Sequence, residues 1–393
     1  MLSSRTSAAI FVIYALVMAV GVLRIESRFS WPDEVVYFRL ASNLYHHHIY
    51  SEDGTTVVAY KPPGFASFLA AVYSLHSSLA FLRRVNLGLW LVAAVLCSRV
   101  CFCLFGAIGQ RVCLLLILCY PVTFYTAMFL YPQTLATVLF LAAVYLLLKA
   151  TSDTIKFELA AGACLGALLM TVPMFLFSLP ILLAWVAAKH RSFARKPLAV
   201  MLSCALIASL WSVRNFRVFG RFVPFGNEGG HELLLGNSEN TLPNAGPNTD
   251  LSSYTRYVKR NHLDEVEADH FYRDSAVRWI VGHPASAVRL YALKWLNWFN
   301  FKNDLHTTSQ SSVLAWAVMF FTWYPLLALG LCAVLLDRNV LSLEEIMLCA
   351  VYLTGAFSYA LFYTRLRYRV PFDYILIVLA SGFITRRLSK AEA

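Results

Sequence analysis

The sequence predicts an all-α polytopic membrane protein, a bundle of about ten transmembrane helices or alternatively eleven with juxtamembrane helices in the first outer loop, and three observations carry most of that prediction. Of 393 residues, 59% are hydrophobic and only 14% are charged, against roughly 25% charge in soluble domains. Mean hydropathy is +0.60. The apolar residues gather in membrane-length runs, about 20 residues for a hydrocarbon core about 30 Å thick, and nothing shows the strand-and-turn alternation of a barrel.

The first run, Ala8 to Leu23, follows Arg5 like a signal peptide. It lacks a small-residue cleavage site, and Glu26 and Arg28 arrive directly after it, so it reads as an uncleaved first span. Further apolar runs lie near residues 65–82, 85–105, 112–130, 132–149, 158–172, 173–188, 197–213, 312–336, 344–363 and 370–385. The net charge of +11 comes from Lys and Arg scattered at the ends of these runs. That distribution argues against a nucleic-acid partner and for topology signals and anionic-lipid contact. Most of the nine cysteines (Cys97, Cys101, Cys103, Cys113, Cys119, Cys164, Cys204, Cys332, Cys349) fall in the predicted spans without zinc-ligand spacing, as small packing residues would.

Short cytoplasmic loops collect Lys and Arg. The richest basic loop, Lys189-His-Arg191-Ser-Phe-Ala-Arg195-Lys196, is therefore placed inside, together with Lys149, Lys156 and the Arg99–Arg111 turn. Parity then puts Arg83-Arg84 outside with Asp33 and Lys61, so the 65–82 segment lies along the outer interface and does not cross. The expected organisation is a transmembrane module over 1–213 with a first outer loop at 25–84, a long outer loop over 214–311, and C-terminal spans over 312–393, with both termini cytoplasmic. The outer loop should hold Gly-, Asn- and Pro-rich turns over 226–248, an amphipathic helix over about 251–282, and a second after His283-Pro284 carrying Trp295, Trp298 and Phe299. Arg365, Arg367 and Arg369 fall outside, against the usual bias. An anion waiting there would account for them, whereas a span count off by one would make them ordinary inside flankers.

Several motifs carry chemistry. Asp33 and Glu34 follow Pro32 and open a helical pattern. Such acids cap free amides, or one serves as general base on an acceptor hydroxyl or as ligand to a divalent cation. Being adjacent, they point to different sides of the helix. Lys61 precedes Pro62-Pro63 and is presented from a rigid extended segment, either to snorkel or to neutralise a phosphate in the headgroup plane. Arg214, in Trp211-Ser-Val-Arg214, ends a span as an interfacial anchor or phosphate ligand. His231 and Glu232, beside Gly229-Gly230, read as a polar turn or a substrate contact. The run His46-His47-His48 diverges around a helix and makes a weak metal site.

The order Asp-Glu in the first outer loop, Lys-Pro-Pro-Gly at its end, Val-Arg-Asn-Phe-Arg-Val-Phe-Gly-Arg-Phe-Val-Pro (213–224), Gly-Gly-His-Glu-Leu-Leu-Leu-Gly-Asn (229–237) and Arg-Leu-Arg-Tyr-Arg-Val-Pro (365–371) resembles the GT-C glycosyltransferases. Within them it resembles the protein-mannosyltransferase-like group, glycosyltransferase family 39 and relatives such as the aminoarabinose transferases, from about residue 8 onward. The resemblance implies transfer of a sugar from a polyprenyl-phosphate donor to a protein, lipid or glycan acceptor on the outer face, in a bacterial inner membrane. It makes Asp33 the catalytic acid with Glu34 as partner. Lys61, Arg365 and Arg367 become phosphate ligands, joined by Arg214 and Arg369, and Tyr37, Tyr60, Gln133 and His231 are candidate substrate contacts. Two positions depart from the pattern: relatives often carry an acid where Gln133 stands and an arginine where Val172 stands. The first removes a second carboxylate, so no metal ligand is assigned and a divalent cation loses its usual support. A transporter, or a non-catalytic lipid-binding scaffold, is the rival reading. A transporter would bury ionisable residues near mid-membrane in two related halves, and neither feature is visible.

Overall fold

The computed structural model describes residues 4–151, 154–191, 194–244, 246–302 and 312–391, with side chains from residue 9 onward. Every regular element among them is helical. In chain order the helices are α1 (Ser4–Arg24), α2 (Pro32–His47), α3 (Pro63–Tyr73), α4 (Leu79–Leu118), α5 (Pro121–Ala127), α6 (Pro132–Lys149), α7 (Lys156–Leu169), α8 (Leu179–His190), α9 (Arg195–Phe219), α10 (Gly229–Gly236), α11 (Ser252–Arg260), α12 (Glu265–Gly282), α13 (Pro284–Trp298), α14 (Val313–Leu336), α15 (Leu343–Leu361) and α16 (Leu366–Ala391).

By length and composition α4, α6, α9, α14 and α16, and the segment Pro173–His190 that ends in α8, can cross a membrane, and Ala9–Arg24 is a shorter apolar helix. The expected 65–82 segment is an 11-residue helix, α3, followed by a break. The 40 residues of α4 are not one rod. At Gly106 the backbone turns to φ 72°, ψ −162°, a region that favours glycine, and the chain doubles back. The Sγ atoms of Cys97 and Cys113 then lie 3.4 Å apart, where a straight helix would separate those residues by about 24 Å. The first limb covers the span expected near 85–105, whereas the run expected near 112–130 is divided between the short second limb and α5. That limb ends at Leu118, because Pro121 cannot continue the α4 ladder and opens α5.

At the centre is α16, whose residues 369–382 are all buried, the mark of a helix surrounded by others. Against it pack α4, α6, α14 and α15. On the periphery, α9 and α14 expose large apolar side chains such as Leu206, Leu210, Phe321 and Leu335. Those faces suit lipid, where no water competes.

The two ends of the bundle differ. One is bound by ion pairs between helix ends: Lys196 with Glu158 at 2.8 Å, and Arg386 with Asp337 and Glu345 at 2.6 and 2.9 Å. Arg386 also lies over the Phe105 ring beside the Gly106 turn. The other end carries α2, α3, α5, the α10–α13 layer and the turn before α16. Here the structure departs from expectation in two ways. The single amphipathic helix over 251–282 is interrupted at Asn261, and Asp264 caps a separate α12 by accepting from Glu267 N at 2.8 Å. Residues 229–236, expected within turns, form α10. The end of the expected outer loop, residues 303–311, lies outside the described residues.

Lys294 on α13 ties this layer to the bundle. Fully buried, its ammonium donates to Gly236 O and Phe362 O, both at 2.8 Å, so it closes the C-termini of α10 and α15. Gly236 leaves room for that closure, since a Cβ there would sit 1.7 Å from Phe362 O.

Candidate active site

Pro32 at the first turn of α2 fixes the entry of the helix, and the two acids that follow it face opposite ways. Glu34 is fully buried and accepts from Arg83 at 2.9 and 2.7 Å, from Leu130 N at 2.9 Å and from Ser30 N at 3.0 Å. Asp33 points instead into a cavity of about 920 Å³ at this end of the bundle. There its Oδ2 meets Nη1 of Arg367, at the start of α16, at 2.5 Å.

The cavity has two chemical characters. Its polar end is lined by Asp33 and Lys61 from the first loop, Glu228, His231 and Glu232 around the start of α10, and Arg365 and Arg367. Its more apolar part includes Val122 and Tyr125 of α5 with Leu314, Val318 and Met319 of α14, beside Lys302 over the Trp316 ring. An anion attached to a hydrocarbon tail matches both ends.

Two of the cations are visibly held in place. Arg367 stacks over Tyr131 at 4.6 Å and Tyr368 at 5.1 Å, and Tyr368 shares a 2.8 Å hydrogen bond with Tyr363. Lys61 projects from a braced backbone: Tyr50 Oη donates to the carbonyls of Lys61 and Pro62 at 3.1 and 3.2 Å, and Gly64 N donates to Met170 O at 2.7 Å. Its ammonium donates to both oxygens of Glu228, at 2.9 and 2.7 Å.

These neighbours set the protonation states. Burial raises the Asp33 carboxyl, but Arg367, Lys61 and Arg365 outweigh it and hold the group below the usual carboxylate range. For Lys61, burial works against the charge and Glu228 more than restores it, so the ammonium persists. Glu232, buried beside Glu228, is pushed up to about 7. Burial lowers His231, which is therefore neutral near pH 7.

The structure brings together Asp33, Lys61, Arg365, Arg367 and His231. It places Glu34, Arg214, Arg369, Tyr37 and Gln133 outside the cavity wall, for identifiable reasons. Glu34 is consumed by Arg83 and the backbone at the start of α2. Arg214 donates to Val58 O at 3.0 Å and stacks on Trp211 at 4.5 Å. Arg369 pairs with Asp373 at 2.9 Å, donates to Trp298 O and Asn300 O, and lies 3.3 Å from the Trp323 ring centroid. Tyr37 is buried against Phe65, and Gln133 is buried in α6. Tyr60 bonds Glu52 and lines a smaller adjoining hollow of about 190 Å³ with Glu228, His231 and Glu265. The histidine run ends α2 on an exposed surface. The sequence reading missed Glu228, whose one signal was an unexplained charge in a short polar stretch, and took Arg83 only as a topology marker.

Glu228, His231 and Glu232 bring one ligand atom each within 4.8 Å of one another. Glu228 spends both oxygens on Lys61, and Glu232 bonds Tyr363. As arranged, Glu228 serves the Lys61 ammonium.

No protein-family model matches the sequence, and a search of curated proteins returns no match. Solved structures do match. The oligosaccharyltransferase of Archaeoglobus fulgidus aligns with 98% of this chain at TM-score 0.55 and 15% identity, and this chain spans 51% of that protein. ArnT from Cupriavidus metallidurans aligns in its apo state over 99% of this chain and 80% of its own at TM-score 0.46 and 13% identity. The same protein bound to undecaprenyl phosphate aligns over 98% and 79%, at TM-score 0.45 and 13% identity. The fold is similar to that of the archaeal oligosaccharyltransferase. At such identity the likeness is one of architecture, and this chain covers about half the length of the oligosaccharyltransferase it resembles.

Proposed function

We propose that this chain is a glycosyltransferase that moves a sugar from a polyprenyl-phosphate carrier to an acceptor hydroxyl on a protein, lipid or glycan at the extracytoplasmic face. The observation that carries the reading is the meeting of Asp33 and Arg367 at 2.5 Å, with Lys61 and Arg365 on the same wall, at the polar end of a cavity whose other part is more apolar. The likeness of fold to the oligosaccharyltransferase supports it.

In this reading the headgroup phosphate lies among Lys61, Arg365 and Arg367, and the prenyl chain runs along α5 and α14. The acceptor oxygen attacks the anomeric carbon, the bond from that carbon to the phosphate oxygen breaks, and the carrier leaves as a phosphate monoester. Asp33 takes the acceptor proton as general base. The three cations stabilise the charge that grows on the departing phosphate, a role strongest where water is excluded. Glu34 and Arg83 hold the first turn of α2, and with it Asp33, in register.

Purified protein in lipid nanodiscs, offered a panel of labelled polyprenyl-phosphate sugars and acceptor extracts, tests this directly. Transfer by the native chain, with a loss of about 10²- to 10⁴-fold in Asp33→Asn, supports the reading. Equal transfer by both proteins rejects the role of Asp33.

A further inference from the structure

Among the described residues four cations line the cavity: Lys302 lies over the Trp316 ring, and Lys61, Arg365 and Arg367 share the wall with three carboxylates (Asp33, Glu228, Glu232). Two of the cations are already committed: Arg367 to Asp33 at 2.5 Å, and Lys61 to both oxygens of Glu228. An incoming anion therefore meets cations that carboxylates already occupy. To bind Lys61 or Arg367 it must displace the carboxylate held there, and the surroundings of each differ in how readily that carboxylate can yield.

Lys61 cannot follow a ligand by backbone movement, because Tyr50 and Met170 pin the segment on both sides. Its side chain is a four-carbon stem bearing a compact charge with three donors. That ammonium can swing between acceptors at small cost. Glu228 stands just before α10 and is about a quarter exposed, so its carboxylate can turn toward water once released. Asp33 meets Arg367 through Oδ2, and the guanidinium stabilises its ionised form, which makes the carboxylate a weaker base while that contact lasts.

We infer that Glu228 is a positioning residue for the phosphate site. It holds the Lys61 ammonium against the cavity wall until a phosphate headgroup takes its place, while the same anion takes Arg367 from Asp33 and frees that carboxylate for the acceptor proton. The inference rests on the reading above that the cavity receives a phosphate-headed lipid. It explains why an acid sits in contact with the lysine meant for an anion, and it orders the events: the base becomes available once the donor is bound.

Farnesyl phosphate, titrated calorimetrically into the protein in nanodiscs of neutral lipid, provides the test. Glu228→Gln removes the competing charge and should tighten binding about three- to tenfold, whereas Lys61→Met should weaken it by about tenfold or more. In the Lys61→Met background Glu228→Gln should then give no gain, because nothing remains for it to release. A purely structural Glu228 would produce no such gain in affinity. Glu228→Ala repeats the experiment if the glutamine variant folds poorly, with melting temperatures compared throughout. Binding that is unchanged or weaker in both Glu228 variants overturns the inference and leaves the lipid-phosphate reading standing. An equal gain with and without Lys61 also overturns it, as a field effect unrelated to the lysine. A native protein that does not bind farnesyl phosphate overturns the lipid-phosphate reading and the inference with it.

Discussion

Arg83 grips both carboxylate oxygens of Glu34, at 2.9 and 2.7 Å, one residue beyond the acid that faces the cavity. Both side chains are almost completely buried. The same guanidinium donates to Glu26 O at 2.7 Å and to Ser30 Oγ at 3.3 Å, so it organises the whole approach to α2. Removing one partner of a buried pair strands the other charge. Arg83→Met should therefore lower stability by about 3–5 kcal/mol, read as a fall in melting temperature. The double variant Arg83→Met with Glu34→Leu should cost less than the two single changes added together. Additive losses would show that the pair is not a unit.

Arg367 and Arg369 stand two residues apart in one motif and should behave as opposites. Arg367 meets Asp33 in the cavity, so Arg367→Lys should cut affinity for a prenyl phosphate by about tenfold while changing the melting temperature little. Arg369 is enclosed by Asp373, Trp323 and two backbone carbonyls. Arg369→Lys should lower the melting temperature and leave the affinity of the folded fraction unchanged. Binding isotherms and melting curves on the same preparations distinguish the two, and a shared phenotype would contradict the assignment.

Stability should depend on pH through Glu265, which accepts from Ala59 N at 3.0 Å and so fastens the first loop to α12. Burial pushes its carboxyl from an ordinary value near 4.5 up to about 7. Between those values the folded protein binds more protons than the unfolded chain, so stability falls as pH rises from about 4.5 to about 7 and stays lower above that. Glu265→Gln keeps an acceptor for Ala59 and does not ionise. Its melting temperature relative to the native protein should rise by a few degrees between pH 5 and pH 8. A pH-independent difference would show that Glu265 is not the group responsible.

The sidedness proposed from the basic loops can be read with reporter fusions. A fusion at Gly106, between Arg99 and Arg111, should report the cytoplasm, and one at Gly282 the opposite side. The reverse pattern, or the same side for both, would overturn the placement of the cavity at the outer face.

The helical architecture was legible because long apolar runs admit few alternatives in a bilayer. The turn at Gly106 was legible as a basic loop between two runs, and α3 as a run that the parity of its flanking charges keeps from crossing. Periodicity is silent on which charge meets which. Glu34 and Arg83 are 49 residues apart, and Lys61 and Glu228 are 167 apart, so no local pattern announces either pair. Arg214 and Arg369 looked like Arg367 in sequence, since an arginine at a span end reads alike whether it faces a cavity or a cluster of carbonyls. The breaks at Asn261 and before α10 were hidden because the residues on each side are polar and the apolar stripe is weak. The grouping of Asp33, Lys61 and Arg367 was visible through the order of family-like motifs, and spacing alone would not have shown it.

The most direct measurement is a structure of the protein in nanodiscs with a bound polyprenyl phosphate. The account predicts the phosphorus within ion-pair distance of Lys61 and Arg367, the chain along α5 and α14, and the Asp33–Arg367 contact opened. A headgroup seated elsewhere, with Asp33 still closed on Arg367, would contradict it.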